Sequence, residues 1–256
     1  MQKIIAVTNQ KGGVGKTTTA VNLSASLAVA EKRTLLIDLD PQANATSGFG
    51  ISGEGVEGNV YDVIIGKKKI SEVTRKTDLA YLDVLPSSGD LSGAEVELVG
   101  MLAREKRLAN AMREMEAPYD YVLIDCPPSL GLLTINALTA ATATLIPLQC
   151  EYYPLEGLAR LFRTMDLIRA ELNPGLQVAG IVLTMIDLRN NLAQQVAREV
   201  RTHFPQYLLN TMIPRNVRLS EAPSHGKPIL LYDINSKGAL SYLELSRELI
   251  RREKGA

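Results

Sequence analysis

Short apolar runs rich in β-branched residues alternate along the chain with longer segments in which apolar positions recur every three or four residues. The short runs predict strands, and the longer segments predict helices with one buried face. Few polar residues interrupt the strand-like runs, which is typical of strands covered on both sides. The predicted strands are residues 4–8, 34–38, 82–86, 121–125, 144–148, 178–184 and 208–213. The predicted helices are residues 16–30, 103–116, 155–172 and 192–204.

This alternation of strand and helix predicts an α/β fold, in which a mostly parallel twisted sheet carries helices on both faces. Ligands of such folds bind at the carboxyl ends of the strands. We expect one domain spanning residues 1–256, without a helix-turn-helix domain at its start. Residues 41–60 are polar and glycine-rich, and they predict a mobile loop beside the site. Residues 243–256 are expected to form a helix that packs on the sheet.

Composition narrows the class of protein. The 256 residues are 46% hydrophobic, which is enough for a substantial core. No apolar run approaches the roughly 20 residues of a membrane span, and the chain starts without a signal-sequence pattern, so a cytoplasmic protein is expected. The two cysteines, Cys126 and Cys150, are predicted to be reduced core thiols. His203 and His225 are expected to be polar surface or capping residues rather than metal ligands.

The most specific signal is the segment 11–18, which reads Lys-Gly-Gly-Val-Gly-Lys-Thr-Thr and follows the first predicted strand. Glycines let backbone N–H groups surround an anion, and the helix that follows adds the positive end of its dipole. The usual phosphate-binding loop has a glycine where this chain has Gln10. An ordinary glycine-rich turn is the alternative, but it does not account for the lysines and threonines. The predicted ATP-binding residues of the loop are Lys11, Gly12, Gly13, Val14, Gly15, Lys16, Thr17 and Thr18.

Two predicted strands end in carboxylates. Residues 34–38 lead into Asp38 and Asp40, and residues 121–125 end at Asp125 before two prolines. Beside a phosphate loop, Thr17 is predicted to contact magnesium directly, and Asp38 and Asp125 through water. Asp40 is predicted to orient the attacking water. Aspartates that only cap a helix or form a turn are the alternative.

The loop contains two lysines with different predicted roles. Lys16 is placed to neutralise the β- and γ-phosphate oxygens together with magnesium. Lys11 stands at the entrance of the loop, where it could turn inward or reach the phosphate of a second molecule. The second arrangement would make hydrolysis depend on dimerisation. Lys11, Lys16 and Asp40 are therefore the candidate catalytic residues.

The chain resembles the ParA/MinD class of ATPases with a deviant Walker A loop, and within that class it looks most like chromosomal ParA proteins of the Soj type. The resemblance rests on the phosphate loop, on the acidic strand ends and on three further segments. It extends over essentially the full length. The segments that carry it are residues 11–18, 35–44, 124–138, 149–153 and 213–228.

The resemblance implies a P-loop NTPase fold and an ATP-driven switch for chromosome or plasmid partition, with ATP and Mg²⁺ as cofactors. In this family an ATP-bound homodimer encloses the nucleotides, and Lys11 would contact the phosphates of the opposite subunit. The dimer binds double-stranded DNA without sequence preference, and a ParB/Spo0J-type partner stimulates slow hydrolysis and releases it. A nucleoid-associated protein is implied, with no membrane partner. The resemblance assigns Pro214, Arg215 and Asn216 to the adenine side of the site.

Two arginines, Arg189 and Arg218, match positions linked to DNA binding in Soj-type proteins. The formal net charge is zero, but residues 186–256 hold 11 Lys and Arg against 7 Asp and Glu. Dimerisation would double a patch that also contains Arg198 and Arg201, which makes a modest charge sufficient. For Arg189 an ordinary solvated surface arginine is the alternative.

The chain departs from the family pattern at Ala43, where Soj-type proteins usually carry glycine. Alanine restricts the backbone more than glycine does. If this position uses a negative φ, we expect Ala43 to stiffen the loop after Asp40 and to change the hydrolysis rate at most.

Three other functions are compatible with parts of the sequence. A MinD-like membrane-cycling ATPase would need an amphipathic C-terminal helix with a basic face, whereas residues 243–256 mix acids into the polar face. An ATPase similar to nitrogenase iron protein would hold an iron–sulfur cluster between subunits, but Cys126 and Cys150 do not lie in that family's glycine-flanked cysteine segments. A scaffold that binds nucleotide without turnover is disfavoured by Asp40.

Overall fold

The computed structural model describes residues 2–51, 58–115, 118–151, 154–187 and 189–254. The strands within these ranges are β1 (Lys3–Val7), β2 (Thr34–Asp38), β3 (Arg75–Lys76), β4 (Leu82–Leu85), β5 (Tyr121–Asp125), β6 (Ala143–Gln149), β7 (Gln177–Ile186) and β8 (Leu208–Pro214). They form one sheet in the order β3-β4-β2-β5-β1-β6-β7-β8. Neighbouring strands are parallel except β3 and β4, which are antiparallel. The predicted mostly parallel sheet is confirmed.

Helices cover both faces of this sheet. They are α1 (Lys16–Val29), α2 (Asn44–Ser47), α3 (Val60–Ile64), α4 (Ile70–Val73), α5 (Leu91–Val99), α6 (Arg107–Arg113), α7 (Leu132–Ala140), α8 (Pro154–Glu171), α9 (Asn191–His203), α10 (Val217–Glu221), α11 (Ile229–Tyr232) and α12 (Lys237–Lys254). Successive side chains of a strand point to opposite faces. Accordingly, Leu35 and Ile37 of β2 lie in a core that includes α5 to α9, whereas Leu36 lies in a core that includes α1 and α12. The apolar strands therefore fill two cores.

The strand positions agree with the prediction to within one or two residues at each end. The helix predicted over residues 103–116 is shorter: a 3₁₀ turn at Arg104–Lys106 leads into α6, which ends at Arg113. The start differs because Ala103 has a φ of 52°, outside the right-handed helical region. Residue 116 lies outside the described residues. The helices that were not predicted have at most 9 residues, as in α5 and α7, which is too short for a clear period.

The stretch predicted to be an irregular loop, residues 41–60, contains the short helix α2. Residues 52–57 of that stretch lie outside the described residues. Gly48 is a buried part of the turn that follows α2, and Ala45 and Thr46 are buried within the helix. The first half of the stretch is therefore anchored to the body of the protein at these three residues, while Gln42, Asn44, Ser47 and Gly50 remain exposed.

The C-terminal helix α12 packs on the sheet, as predicted. Its residues Tyr242, Leu245 and Leu249 are buried in the same core as α1. The hydroxyl oxygens of Tyr242 and Thr19 lie 3.2 Å apart, which ties α12 to the helix that follows the phosphate loop. Among the described residues, no helix is both long and apolar enough to cross a membrane. Because its apolar face is used inside the fold, α12 does not present the free amphipathic face that a MinD-like membrane helix requires.

A buried carboxylate, Glu248, fixes α12 to the edge strand β8. It accepts hydrogen bonds from the backbone N–H groups of Asn210 and Thr211, both at 2.8 Å, and from the Thr211 hydroxyl at 2.6 Å. Arg252 adds an ion pair at 3.2 Å. Burial alone would raise the pKa of Glu248, but the hydrogen bonds from Thr211 and Asn210 outweigh it and lower the pKa. Glu248 therefore supplies acceptors for two backbone N–H groups of the edge strand.

We expect Glu248→Gln to lower the free energy of unfolding by about 2–3 kcal/mol, because an amide replaces one of the two accepting oxygens by an NH₂ group, which donates and leaves a buried N–H without its acceptor. Urea denaturation at pH 7 measures this. Since the folded pKa of Glu248 is depressed, its contribution exists above the unfolded pKa, about 4.3, and is lost as the pH falls through the lower folded value. The matched control is Glu244→Gln on the exposed side of α12, for which we expect a change of at most about 0.5 kcal/mol. Equal losses in the two variants would contradict the role of Glu248.

Candidate nucleotide site

The phosphate loop connects β1 to α1, as the sequence predicts. Gly13 has a φ of 73° and Gly15 a φ of 86°, a left-handed conformation that suits glycine and strains other residues. Gly15 is the residue directly before α1, and Lys16 and Thr17 form its first turn. The N-terminal N–H groups of α1 therefore open toward the loop, which is the arrangement that binds phosphate.

Contacts from neighbouring strands hold this loop in place. The Asn9 side chain donates to the Pro147 carbonyl at 2.8 Å and accepts from the Lys11 backbone N–H at 3.1 Å. The Thr184 hydroxyl donates to the Val14 carbonyl at 2.8 Å. Asn9 and Thr184 were not predicted from the sequence, because their partners are 138 and 170 residues away. These contacts tie the loop to β6 and β7.

Lys16 is folded back into the loop. Its ammonium group donates to the Lys11 carbonyl at 3.0 Å, and only 7% of the residue is exposed. Burial lowers the pKa of Lys16, and the nearby Asp125 opposes that shift most strongly. A partly desolvated cation at the centre of the loop is suited to the charge of a nucleotide's phosphates.

Lys11 lies outside the loop's interior. Its ammonium group forms an ion pair with the Glu151 carboxylate at 2.8 Å, and both side chains are 49% exposed. Gln149 also donates a hydrogen bond to Glu151. Of the two orientations that the sequence allowed, the inward one is not seen, since the Lys11 side chain is turned toward Glu151. The ammonium group is held beside the loop by a residue that follows β6.

Three carboxylates, Asp38, Asp40 and Asp125, stand at or just after the carboxyl ends of two adjacent strands. Asp38 of β2 and Asp125 of β5 are partners in the sheet register, and Val7 of β1 pairs with Asp125 on its other side. Burial raises the pKa of Asp38 to about 6, against hydrogen bonds from Thr46 and from the Asp40 backbone. Burial also raises the pKa of Asp125, and the charge of Asp38 adds to that effect. Asp125 thus lies beside the strand that leads into the phosphate loop, close enough to Lys16 for their charges to interact.

Asp125 fits the magnesium role predicted for it. Both of its carboxylate oxygens are buried without a well-formed hydrogen bond from a described residue, although the Thr17 hydroxyl lies close enough to act against the raised pKa. An unsatisfied buried carboxylate is costly, and it suits an acceptor for magnesium-bound water next to phosphate. Thr17, predicted to be a direct ligand, lines the adjacent cavity.

Other metal chemistry has little support among the described residues. They contain no group of three or more His, Cys, Asp or Glu side chains able to hold a metal ion. Magnesium needs no such group, because it keeps several waters and takes further ligands from phosphates. Cys126 and Cys150 are buried and unpaired, and burial raises the pKa of both thiols. His203 ends α9, and His225 stacks on Tyr232 with 4.9 Å between ring centres.

A cavity of about 500 Å³ opens between the phosphate loop, α10 and α12. Its volume is within the range of small-molecule sites. Most of the predicted ATP-binding residues line it, but Val14 is buried behind the loop and Lys11 lies outside. The predicted residues on its wall are Gly12, Gly13, Gly15, Lys16, Thr17, Thr18, Asp40, Pro214, Arg215 and Asn216. The lining residues not predicted are Gln42, Asn44, Pro128, Thr184, Met185, Ile213, Leu219, Ser220, Pro223 and Tyr242.

Asp40 is the predicted catalytic carboxylate on this wall, and the residue is 8% exposed. One carboxylate oxygen accepts from the Gln42 backbone N–H at 2.9 Å. On the opposite side, Asn216 uses its side chain to cap α10 by accepting from the Arg218 N–H at 2.8 Å. Met185, which no motif in the sequence indicates, lines the cavity and has a φ of 49°. The cavity thus brings the phosphate loop, Asp40 and the predicted adenine side together.

Ala43 has a φ of 51°, so the condition for our expectation about it, a negative φ, is not met. A left-handed conformation costs a residue with a Cβ about 1–2 kcal/mol, and glycine pays about 0.5–1 kcal/mol in chain entropy. We therefore expect Ala43→Gly to raise the unfolding free energy by about 0.5–1 kcal/mol in urea denaturation. The control is Ala109→Gly inside α6, expected to lower it by about 1 kcal/mol. Destabilisation by both variants would contradict this account.

The two arginines predicted to bind DNA lie on the surface, each beside carboxylates. Arg189 follows β7, and two nitrogens of its guanidinium group donate to the two Asp187 carboxylate oxygens at 2.9 and 2.7 Å. Arg218 lies in α10 and pairs with Glu221 at 2.9 Å and with Asp233 at 3.5 Å. Arg198 and Arg201 border a different cavity, between α9 and β8. A phosphate backbone would have to compete with these carboxylates.

A phosphate loop before α1, a buried acidic strand end beside it and a mostly parallel sheet together define a P-loop nucleotide hydrolase. Residues 2–178 match a protein-family model described as an AAA domain. The chain is 58% identical over 251 residues to the chromosome partitioning protein ParA of Myxococcus xanthus, with 98% of this chain and 89% of that protein covered. It is 55% identical to the sporulation initiation inhibitor protein Soj of Bacillus subtilis, with coverage of 97% and 98%. The chain belongs to the ParA/Soj family of chromosome partitioning ATPases.

A solved structure supports the nucleotide chemistry of the fold. The crystal structure of cobyrinic acid a,c-diamide synthase from Mycobacterium smegmatis, with bound ADP and magnesium, matches with a TM-score of 0.87 at 35% identity. The match covers 99% of this chain and 96% of the other. The family and this match support nucleotide and Mg²⁺ binding and an ATPase activity.

Proposed function

We propose that this protein is an ATP-dependent dimerisation switch for partitioning chromosome or plasmid DNA. The ATP-bound homodimer binds double-stranded DNA without sequence preference, and a ParB-type centromere-binding partner stimulates a slow hydrolysis that releases it. The observation that carries the proposal is that the two lysines of the loop have different positions. Lys16 lies inside the phosphate loop, and Lys11 is held at its edge.

Nucleotide binding would use the loop and the cavity beside it. The N–H groups of the loop and the Lys16 ammonium group would hold the phosphates, while Pro214, Arg215 and Asn216 would border the adenine. Magnesium bound by Thr17, and through water by Asp125 and Asp38, would neutralise phosphate charge. Asp40 would orient the attacking water from the cavity wall. The roles of the loop residues, of Asp40 and of the adenine-side residues are supported by their place on the cavity wall, and that of Asp125 by its buried carboxylate. Asp38 is fully buried off the cavity wall, and its oxygens accept hydrogen bonds from Thr46 and Asp40.

Lys11 links nucleotide binding to dimerisation in this proposal. It has an exposed side chain beside the cavity rather than a place on its wall. An exposed ion pair contributes at most about 1 kcal/mol, so little free energy opposes the release of Lys11 from Glu151. A phosphate bound in a second copy would attract the released ammonium group, as it does a trans-acting arginine finger. Hydrolysis would then need two subunits.

DNA attachment would use Arg189 and Arg218 in both subunits and would hold the protein on the nucleoid. A guanidinium group that already pairs with a carboxylate can exchange it for a DNA phosphate, which is also an oxygen anion. The exchange is modest in energy for each arginine, so affinity depends on doubling the contacts in the dimer. Such binding falls steeply with salt.

The test of this function is an ATPase assay with DNA and the ParB-type partner, added separately and together. We expect the highest rate with both present, because DNA holds the dimer and the partner acts on it. An unchanged rate under all conditions would contradict the switch and leave a nucleotide-binding scaffold. ATP-dependent pelleting with liposomes would instead favour the membrane-cycling alternative.

For DNA binding we expect Arg189→Glu to weaken the affinity of the ATP-bound protein while nucleotide affinity is unchanged. Each lost phosphate contact reduces the slope of log K against log salt by about 1, so a dimer should lose about 2. Fluorescence anisotropy with labelled duplex DNA over a salt series measures the slope. Arg113→Glu, an exposed position at the end of α6, is the control and should keep the slope. An unaltered slope for Arg189→Glu would remove this residue from the DNA surface.

A further inference from the structure

We propose that Thr46 and Ser87 are positioning residues for ATP hydrolysis, and that with Asp38 they hold the peptide of Asp40 in its working orientation. This inference rests on the proposed role of Asp40 as the residue that orients water. We name the three residues Asp38, Thr46 and Ser87 the Asp40 clamp. They come from the end of β2, from α2 and from the segment after β4.

A continuous set of hydrogen bonds joins the members of the clamp. The Ser87 backbone N–H donates to the Thr46 hydroxyl at 2.9 Å, and that hydroxyl donates to the Asp38 carboxylate at 2.7 Å. The Thr46 backbone N–H donates to the same carboxylate oxygen at 2.7 Å. All three residues are at most 1% exposed. Because the Thr46 hydroxyl both accepts and donates, it fixes the distance between the ends of two strands.

Both ends of the Asp40 residue are attached to this clamp. Its backbone N–H donates to the second Asp38 oxygen at 3.2 Å, and its carbonyl accepts from the Ser87 hydroxyl at 2.8 Å. The Ala43 backbone N–H donates to the same carbonyl at 2.9 Å. The chain directly after β2 is therefore held on each side of the Cα that carries the candidate catalytic carboxylate. A fixed backbone limits the positions that the Asp40 carboxylate can take relative to the attacking water.

Precise aim matters because phosphoryl transfer depends on placement more than on covalent chemistry. A displacement of about 1 Å in a positioning group can reduce the rate of a reaction by about 100-fold. Neither Thr46 nor Ser87 lines the nucleotide cavity, whereas Asp40 does. Loss of the clamp should therefore slow hydrolysis while it leaves nucleotide affinity nearly unchanged. A residue that only supports the pocket would alter both quantities.

The experiment measures single-turnover hydrolysis of Mg-ATP with DNA present, and the dissociation constant of Mg-ADP, in four variants. We expect Thr46→Val to slow hydrolysis by about tenfold or more and Ser87→Ala by about threefold or more, with nucleotide affinity within about twofold. Thr46→Ser keeps the hydroxyl and should restore the rate to within about threefold of the wild type. The fourth variant, Thr211→Val, is the control. It removes the buried hydroxyl that donates to Glu248 at 2.6 Å, a hydrogen bond of similar length that is far from the phosphate loop in sequence. It should keep the wild-type rate.

The double variant Thr46→Val/Asp40→Ala separates the clamp from other effects. If Thr46 acts through Asp40, the double variant hydrolyses ATP no more slowly than Asp40→Ala alone. An equal further loss in the Asp40→Ala background would overturn the clamp, as would normal hydrolysis by both Thr46→Val and Ser87→Ala. Normal hydrolysis by Asp40→Ala would instead overturn the role of Asp40 itself. Failure of the clamp and failure of the proposed water-orienting role thus give different results.

Thr46→Val leaves the buried Ser87 N–H without its acceptor, so it is expected to lower stability as well. Ser87→Ala is milder, because the Asp40 carbonyl keeps the Ala43 N–H as donor. Comparison of hydrolysis rates with melting temperatures across the four variants decides whether a slower rate comes from lost positioning of Asp40 or from lost stability. A rate that follows melting temperature, with Thr211→Val slowed in proportion, would overturn a positioning role.

Discussion

Lys16→Ala is expected to abolish ATP binding at the concentrations at which the wild type is saturated. The substitution removes the buried ammonium group at the centre of the phosphate loop. Removing one partner from a buried, hydrogen-bonded charge pair costs about 2–5 kcal/mol, which corresponds to about a 30- to 4,000-fold weaker affinity. Isothermal titration calorimetry with a non-hydrolysable ATP analogue and magnesium measures the loss.

The matched control is Lys106→Ala, which removes an exposed lysine before α6. We expect its nucleotide affinity to equal that of the wild type. Thermal unfolding of Lys16→Ala should still be cooperative, because Lys11, whose carbonyl accepts from Lys16, is an exposed residue of the loop. Wild-type affinity in Lys16→Ala would mean that nucleotide binds elsewhere, and the cavity beside the loop would lose its assignment.

The second large effect is expected for Asp40→Ala, which should bind ATP, dimerise and stay on DNA. A carboxylate that assists proton transfer or orients water commonly contributes about 10²–10⁴-fold to a rate, so hydrolysis should fall by that factor. The residue has no role in holding the phosphates, and its loss should spare nucleotide affinity. Light scattering after size exclusion in ATP, and co-sedimentation with DNA, should both detect a persistent dimer.

Two further variants sharpen this experiment. Asp78→Ala, at an exposed position, should hydrolyse ATP and leave DNA as the wild type does. Adding Lys11→Ala to Asp40→Ala should return the trapped protein to a monomer, because the proposed contact with the second nucleotide is lost. A monomeric Asp40→Ala protein in ATP would contradict the sandwich dimer. A dimer that forms equally well without Lys11 would contradict only the trans contact.

Local chemistry explains what the sequence predicted well. Strands such as Tyr121–Asp125 are continuous apolar runs, and a run of that kind is stable only when both faces are covered. The phosphate loop is also encoded locally, since Gly13 and Gly15 supply the left-handed conformations and Lys16 supplies the charge. Neighbouring acidic strand ends follow from a parallel sheet. The central part of the candidate site could therefore be predicted without coordinates.

The remainder depends on contacts between distant parts of the chain. Thr184 and Val14, or Ser87 and Asp40, are paired only after the strands have taken their order in the sheet. The left-handed conformation of Ala43 could not be predicted either, because alanine does not indicate a positive φ. A hydrogen-bond partner far along the chain leaves no periodic signal in a single sequence.

In the proposed dimer, the ion pair between Lys11 and Glu151 would compete with the nucleotide phosphate of the second subunit for the Lys11 ammonium group. Any nucleotide phosphate that receives Lys11 must replace a carboxylate that is already 2.8 Å away. The contribution of Lys11 to the free energy of assembly would therefore be the difference between its interactions with two anionic partners, and salt weakens both interactions. Substitutions at Glu151 would change the free energy of the monomer, in which Glu151 holds Lys11, rather than that of the dimer. The tendency to associate could thus be adjusted at a residue that touches neither nucleotide nor DNA.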